Sequence, residues 1–453
     1  MKEIQIDYHV TDPDTYSLNL PFIGDLLGGE EDFRPSDKDF LKKTEDSLFS
    51  LCLALRRLPH ITHNSSSRLS HKIADNLYAK LEREYIQNHK DYLPDNLELV
   101  IFERRDDPIT PLIYNWSYMS LVNEFIGIKS NTVHLSSKPQ IFSRETDDFF
   151  LDKNWSSNYG ELTKDLHENM EKLKKKIGGP KKLQSLADME EALSKLPEGN
   201  KEFATIQKHC QICEIIQKQV EAGDLYAVSE LQQDIIVENN KAQQFKDLLN
   251  LFTKKNVSAS DKTKLACLFC LKYSDDLERV SGLKRALAVQ HIDSDVVTAV
   301  CEYSTSSRRV PGELFSRVGD LMEKVSLDSI MSKFKEEEKN IYERYQPKVV
   351  EVVGQLLKGK LKKTEWITKV LNKFEDIKKD SKKFVLVYVI GGVTYQEGRE
   401  LYKAGLKGGY EVIVGSNNLL NSEGFLNQLR KSPVLRKDAP PAEESDGLLK
   451  KLA

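Results

Sequence analysis

Phe384-Val385-Leu386-Val387-Tyr388-Val389-Ile390-Gly391-Gly392-Val393-Thr394-Tyr395 is the stretch whose reading decides the fold. An uncharged run rich in β-branched residues, closed by a glycine turn, reads as a strand buried on both faces. Beyond the turn, residues 395–404 have the pattern of a helix and residues 411–414 that of a second strand. A strand, a helix and a strand within so short a span make a βαβ unit, and that unit requires a parallel sheet.

The same character returns near the start of the chain. Leu41, Leu48, Cys52 and Leu55 share a helix face that Pro59 closes. Leu69, Ile73, Leu77, Leu81 and Tyr85 recur every four residues as an apolar stripe. Pro94-Asp95-Asn96 marks a turn, and residues 97–102 follow as a short apolar strand. Between these ends the pattern is helical. Leu162, Leu166, Met170 or Leu173, and Ile177 mark one helix, ended by Gly178-Gly179-Pro180. Leu183, Leu186, Met189, Leu193 and Leu196 mark a second, ended at 197–199. A third runs over about 203–220, and further helices fill the chain to about Phe374.

The expected fold class is α/β plus α: a discontinuous parallel-sheet domain from residues 1–130 and 381–430 carries a large, mainly helical insertion at 131–380. A hairpin protrudes from that insertion at about 159–220. Residues 431–453, with Pro440, Pro441, Glu443 and Glu444, are expected to form a disordered tail.

Composition bounds the chemistry. The chain has 453 residues, 39% apolar and 30% charged, enough for more than one packed core. Lys+Arg is 67 against 70 Asp+Glu, a net charge of −3, and a dedicated nucleic-acid binder would be basic. The N-terminus lacks the apolar core of a signal peptide, so the cytosol is the default compartment. The C-x-x-C pairs Cys210/Cys213 and Cys267/Cys270 sit in helical patterns without the turns a zinc knuckle needs, and are read as small buried helix residues. His60-Ile61-Thr62-His63 is not H-E-x-x-H and is read as a polar loop after Pro59. The Gly391-Gly392 turn lacks the G-x-G-x-x-G order, and no phosphate loop occurs, so no cofactor is expected.

Glu103-Arg104-Arg105-Asp106-Asp107 is the most unusual local feature. Charges at a strand end serve catalysis in many α/β enzymes, so Arg104, Asp106 and Asp107 support an alternative reading as an enzyme or nucleotide-binding site. The favoured reading is structural: an Arg fork bonds carboxylates and carbonyls together and fixes a turn.

That segment also carries a family resemblance. Ile101-Phe102-Glu103-Arg104-Arg105-Asp106-Asp107-Pro108-Ile109-Thr110-Pro111-Leu112, then Trp116-Ser117-Tyr118 and Glu124-Phe125-Ile126-Gly127-Ile128, resembles the D-R-x-x-D-x-x-T-P-L…W-T-Y…E-L-x-G-I signature of the SM (Sec-one/Munc-eighteen) family. Further matches follow in the family's order. They are Asp7-Tyr8 with Tyr16-Ser17-Leu18-Asn19, Arg308-Arg309-Val310 with Leu314-Phe315-Ser316, Tyr345-Gln346-Pro347 with Gly359-Lys360-Leu361, and Val389-Ile390-Gly391-Gly392-Val393-Thr394-Tyr395. Leu186-Ala187-Asp188-Met189 is most similar to the vacuolar-protein-sorting forty-five branch.

The resemblance implies a non-enzymatic, monomeric, arch-shaped regulator that binds syntaxin-type SNAREs and the assembling SNARE complex. It implies action in Golgi, endosomal or vacuolar traffic, with membranes reached only through SNAREs. It gives Arg104, Asp107, Thr110, Pro111, Gly391 and Gly392 a structural role. It points to the hairpin, with helices at 161–177 and 201–220, for SNARE contact: Glu161, Lys164, Asp165, Glu168, Lys172, Lys201, Gln207 and Glu214, with Pro197 at the tip. The chain departs from the family pattern in two places. Glu103 stands where the family has Asp, and the family's N-terminal α/β domain is expected to be absent ahead of Asp7-Tyr8.

Overall fold

The computed structural model describes residues 7–20, 35–88, 97–135, 138–146, 148–176, 197–305, 342–370 and 383–431. Its sheet contains β1 (His9–Asp12), β2 (Thr15–Ser17), β3 (Pro59–Asn64), β4 (Leu97–Glu103), β7 (Trp366–Lys369), β8 (Lys383–Ile390) and β9 (Tyr410–Ser416), in the order β1-β2-β9-β8-β4-β3-β7. The strands from β2 across to β3 run parallel, and the edge strands β1 and β7 are antiparallel to their neighbours. A separate hairpin pairs β5 (Thr132–Leu135) with β6 (Lys138–Ile141).

β8 is the axis of the sheet, with Phe384 opposite Leu97 and Val387 opposite Val414. Alternation sends Val385, Val387 and Val389 to one face and Leu386, Tyr388 and Ile390 to the other, and both sets are buried. Two helices, α1 (Pro35–Leu55) and α2 (Arg68–Asn88), cover the second face through Leu48, Cys52, Ile73 and Leu77. The first face is covered by Val349 and Val353 of the helix Lys348–Leu357 and by Leu401 of the helix Tyr395–Gly408.

The helices of the middle share one core. They are α3 (Tyr118–Phe125), α4 (Phe149–Asn154), α5 (Tyr159–Lys176), α6 (Pro197–Ala222), α7 (Leu225–Val237), α8 (Lys241–Thr253), α9 (Ala259–Lys272), α10 (Leu277–Val289) and α11 (Asp295–Thr305). Chain order then gives α12 (Lys348–Leu357), α13 (Tyr395–Gly408) and α14 (Ser422–Lys431). Cys213 on α6 and Cys267 and Cys270 on α9 are buried helix residues, and Cys210 is half-buried. Burial drives the Cys213 thiol up to about 12. No described helix is long and apolar enough to cross a membrane.

Two local expectations are corrected. The residues His60 to His63 are not a loop: they lie in β3, paired with β4 on one side and β7 on the other. Two of their polar side chains find partners across the sheet, with Thr62 Oγ1 3.0 Å from Thr368 Oγ1 and His60 Nδ1 3.2 Å from Glu98 Oε1. β7 and α12 arise inside the stretch assigned to helices of the insertion, yet they pack on the sheet. A four-residue edge strand lacks the two-faced apolar run that marked β8. The second insertion helix near 183–196, the Leu186 to Met189 and Arg308 to Ser316 motifs, and the tail from 432 lie outside the described residues.

Candidate functional site

The motif at the end of β4 becomes two 3-10 turns, Arg104–Asp106 and Thr110–Leu112. Arg104 is wholly buried. Its Nε and Nη2 donate to the Gly392 carbonyl at 3.2 and 2.8 Å, and Nη1 donates to the Asp107 carbonyl at 2.9 Å. Nη2 also meets both oxygens of the buried Glu397, at 2.8 and 2.6 Å. Burial opposes its charge, but Glu397 and Asp107 outweigh that and hold the guanidinium protonated. Glu397 also closes a capping box with Thr394 at the start of α13. The T-x-x-E spacing is a readable sequence signal for Glu397, although the family motif itself does not single that residue out.

Asp107 organises the other side. Oδ1 accepts from the backbone N–H groups of Ile109 and Thr110 and from the Tyr345 hydroxyl at 2.8 Å. Oδ2 accepts from the Thr110 hydroxyl at 2.5 Å and from the Lys348 N–H at 3.0 Å. Pro111 sits in the second 3-10 turn, buried against the same junction. Gly391 and Gly392 have φ of +100° and +105°. A Cβ on Gly391 would stand 2.8 Å from the Arg104 Cβ, so both conformation and space demand glycine. Glu103 pairs with Arg105 at 2.6 Å and also accepts from Ser67, while Asp106 accepts from Asn64 at 3.1 Å. Arg104, Asp106 and Asp107 are therefore buried and committed to the protein's own groups. Among the described residues their polar atoms are engaged within the fold, which favours the structural reading of this segment over the catalytic one.

The hairpin candidates lie on α5 and α6, which pack against each other. Leu162, Leu166 and Leu173 of α5 and Phe203, Ile206, Ile212, Ile216 and Val220 of α6 face the helical core. On α5 the residues Glu161, Lys164, Glu168 and Lys172 are exposed, three and four positions apart, and form one solvent-facing stripe. Glu161 also helps to start its own helix. Its N–H donates to Asn158 Oδ1 at 2.9 Å and its carboxylate accepts from the Asn158 N–H at 3.3 Å, a reciprocal cap. Asp165 is drawn inward, accepting from Lys153 at 2.5 Å and from Asn154 at 2.7 Å. Burial works against its ionisation, but these two donors hold its carboxyl below the usual range.

On α6, Lys201 and Glu214 are exposed and Gln207 is half-buried, with Glu214 paired to Lys218 at 2.7 Å. Pro197 is the first residue of α6, where proline's missing N–H costs nothing. Lys201 also lines a groove of about 530 Å³ with Glu202, Thr205, Arg144, Thr146, Phe149 and Asp152.

One buried constellation escaped the sequence reading. His209 of α6 places Nε2 3.0 Å from Asp148 and Nδ1 2.6 Å from the Tyr118 hydroxyl. Asp148 caps α4 through the Leu151 N–H and pairs with Lys208. Burial opposes the Asp148 charge, but His209, Lys208 and the Leu151 N–H hold its carboxyl down to about 2. Burial likewise keeps the imidazole below its ordinary value despite Asp148. This network ties α6 to α3 and α4 and anchors that helix in the core.

Residues 1–428 match the Sec1 family. Among curated proteins, vacuolar protein sorting-associated protein 45 of Homo sapiens is 28% identical over 449 residues, spanning 95% of this chain and 75% of the relative. Its Saccharomyces cerevisiae counterpart is 25% identical over 470 residues, spanning 95% and 77%. Among solved structures, the SM protein Vps45 in complex with the Qa SNARE Tlg2 superposes with a TM-score of 0.77 at 23% identity, covering 96% of this chain and 77% of that one. The Unc18–syntaxin 1 complex of Monosiga brevicollis gives 0.72 at 16% identity, covering 93% and 76%. At these identities the structural likeness establishes the fold.

Proposed function

The chain belongs to the Sec1 family, and from that membership we propose that it is a non-enzymatic regulator of membrane fusion that binds a syntaxin-type SNARE and guides SNARE assembly in Golgi–endosomal traffic. The match along residues 1–428 carries this reading, because it takes in both the sheet and the helical block. Relatives named for vacuolar protein sorting, and a neighbour bound to a Qa SNARE, point to the same partner class.

The proposed contact surface is the α5–α6 pair. Its inner faces are fixed by the shared core, while the outer face of α5 offers Glu161, Lys164, Glu168 and Lys172. An amphipathic partner helix laid along such a stripe is guided in register by alternating charges. Lys201, Gln207 and Glu214 extend the surface onto α6, and Pro197 sets where that helix begins. The proposed division is a sheet domain that holds the frame and an insertion that presents the hairpin. Arg104, Asp107, Thr110, Pro111, Gly391 and Gly392 keep the two together.

Binding of purified syntaxin-type SNARE cytosolic domains, alone and in partial SNARE complexes, tests this directly. Wild-type chain should bind. The triple reversal K164E/E168K/K172E, which leaves the Glu161 cap in place, should weaken binding at least about tenfold, the loss of roughly 1.4 kcal/mol, while circular dichroism stays unchanged. Absence of binding to every SNARE and SNARE pair offered would remove the reading. Full binding by the triple variant would move the surface elsewhere.

A further inference from the structure

At the edge of the sheet, His63 is fully buried on β3, and its Nε2 has no hydrogen-bond partner among the described residues. Its Nδ1 lies 3.1 Å from the Asn64 carbonyl, which makes Nδ1 the protonated nitrogen of a neutral ring. His71 of α2 packs its ring 5.2 Å from that of His63 and places Nε2 3.3 Å from Asp75 one turn further on. Lys369 of the edge strand β7 pairs with the same Asp75 and lies 5.9 Å over the Tyr78 ring. Register puts Ile367 and Ile101 beside His63, so its flanks in the sheet are apolar. The groups facing His63 are thus His71 and Asp75 from α2 and Lys369 from β7, with a single carboxylate among them.

We propose that His63, His71, Asp75 and Lys369 form an acid-sensitive clasp, which holds β7 against α2 at neutral pH and lets it open when His63 takes up a proton. A proton taken up at His63 Nε2 finds no acceptor and sets a buried charge beside His71 and Lys369, whose one shared anion is already engaged. Opening hydrates the charge. Burial, with His71 and Lys369, holds His63 below its ordinary value despite the Asn64 carbonyl and Asp75, so the opened form protonates first and opening grows as pH falls through the imidazole range. The other side of β7 stays anchored, because Trp366 stacks on Phe102 with the rings 6.4 Å apart. His60, one pleat away on the opposite face, is held up by Glu98 and works in the opposite sense, so whole-protein stability mixes the two.

Amide hydrogen exchange resolves the clasp locally. The full chain is compared at pH 7.5 and 5.5, corrected for intrinsic rates, as wild type, H63Q and H71Q. Exchange in β7 should rise up to about tenfold per pH unit in wild type, while α9 in the helical core stays unchanged; H63Q should lose most of that rise and H71Q part of it. H71Q, at an exposed site, keeps the test open should H63Q fail to fold. Equal β7 exchange at both pH values would overturn the proposal. So would an undiminished acid response in the variants, or an equal acceleration in α9, which signals global acid unfolding.

Discussion

Arg104 and Glu397 are both wholly buried, so each is tolerable only because of the other. Replacing Arg104 with Met leaves a carboxylate in the interior without its fork, a loss of about 3–5 kcal/mol. Lysine does not rescue it, since a point charge cannot serve Gly392, Asp107 and Glu397 together. The denaturation midpoint of R104M should fall accordingly, and R104M/E397Q should recover part of the loss. A fall under about 1 kcal/mol in R104M, or no recovery in the double variant, would show that the pair does not lock the junction. At this scale the sequence is half legible. The residue types at 103–107 announce a turn held by an Arg fork, but the partners stand 288 and 293 positions away in the chain, and local pattern cannot place them. The same limit hides His209, whose partners are 61 and 91 residues distant.

Elements are most legible where an apolar stripe repeats. Leu69, Ile73, Leu77 and Leu81 are all buried on α2, and the V-I-G-G turn leads into a capped helix as its spacing implies. β3 and β7 escape such a reading because polar side chains and brevity mask strands whose identity comes from their neighbours. The start of α5 shows how an element supports the proposed contact surface. Asn158 and Glu161 cap one another there, so one stripe residue also fixes where the helix begins. N158A should cost about 1 kcal/mol and fray the first turn, lowering SNARE affinity modestly without touching any charge of the stripe. Thermal denaturation together with binding of the same SNARE domain checks it. Unchanged stability would show that the reciprocal cap does not hold the helix start.

Across the whole molecule, sheet and insertion meet along a seam of buried polar contacts rather than a flexible joint. Arg399 of α13 donates to the Ser156 carbonyl, Asn421 to the Asn123 carbonyl, and Arg144 pairs with Asp14 while stacking 3.9 Å over Trp155. The α/β ends and helical middle are visible in composition and period, but this seam is not, because each contact joins segments that local pattern cannot bring together. Asp12 lies in it, nearly buried, with Oδ1 lacking a partner among the described residues. Burial pushes its carboxyl up to about 6, against the pull of Arg144. The sign follows: between an unfolded value of 3.8 and about 6 the unfolded chain ionises first, so stability declines as pH rises through that window. Asn keeps the shape and removes the charge. D12N should therefore melt above wild type at pH 7.5, by at most about 3 kcal/mol, a bound in which the Arg144 attraction is already set against burial, and the advantage should vanish by pH 4. Melting curves of both proteins across that range decide it: a D12N protein less stable than wild type at pH 7.5 would mean that the Arg144 attraction outweighs burial and that the seam depends on an ionised Asp12.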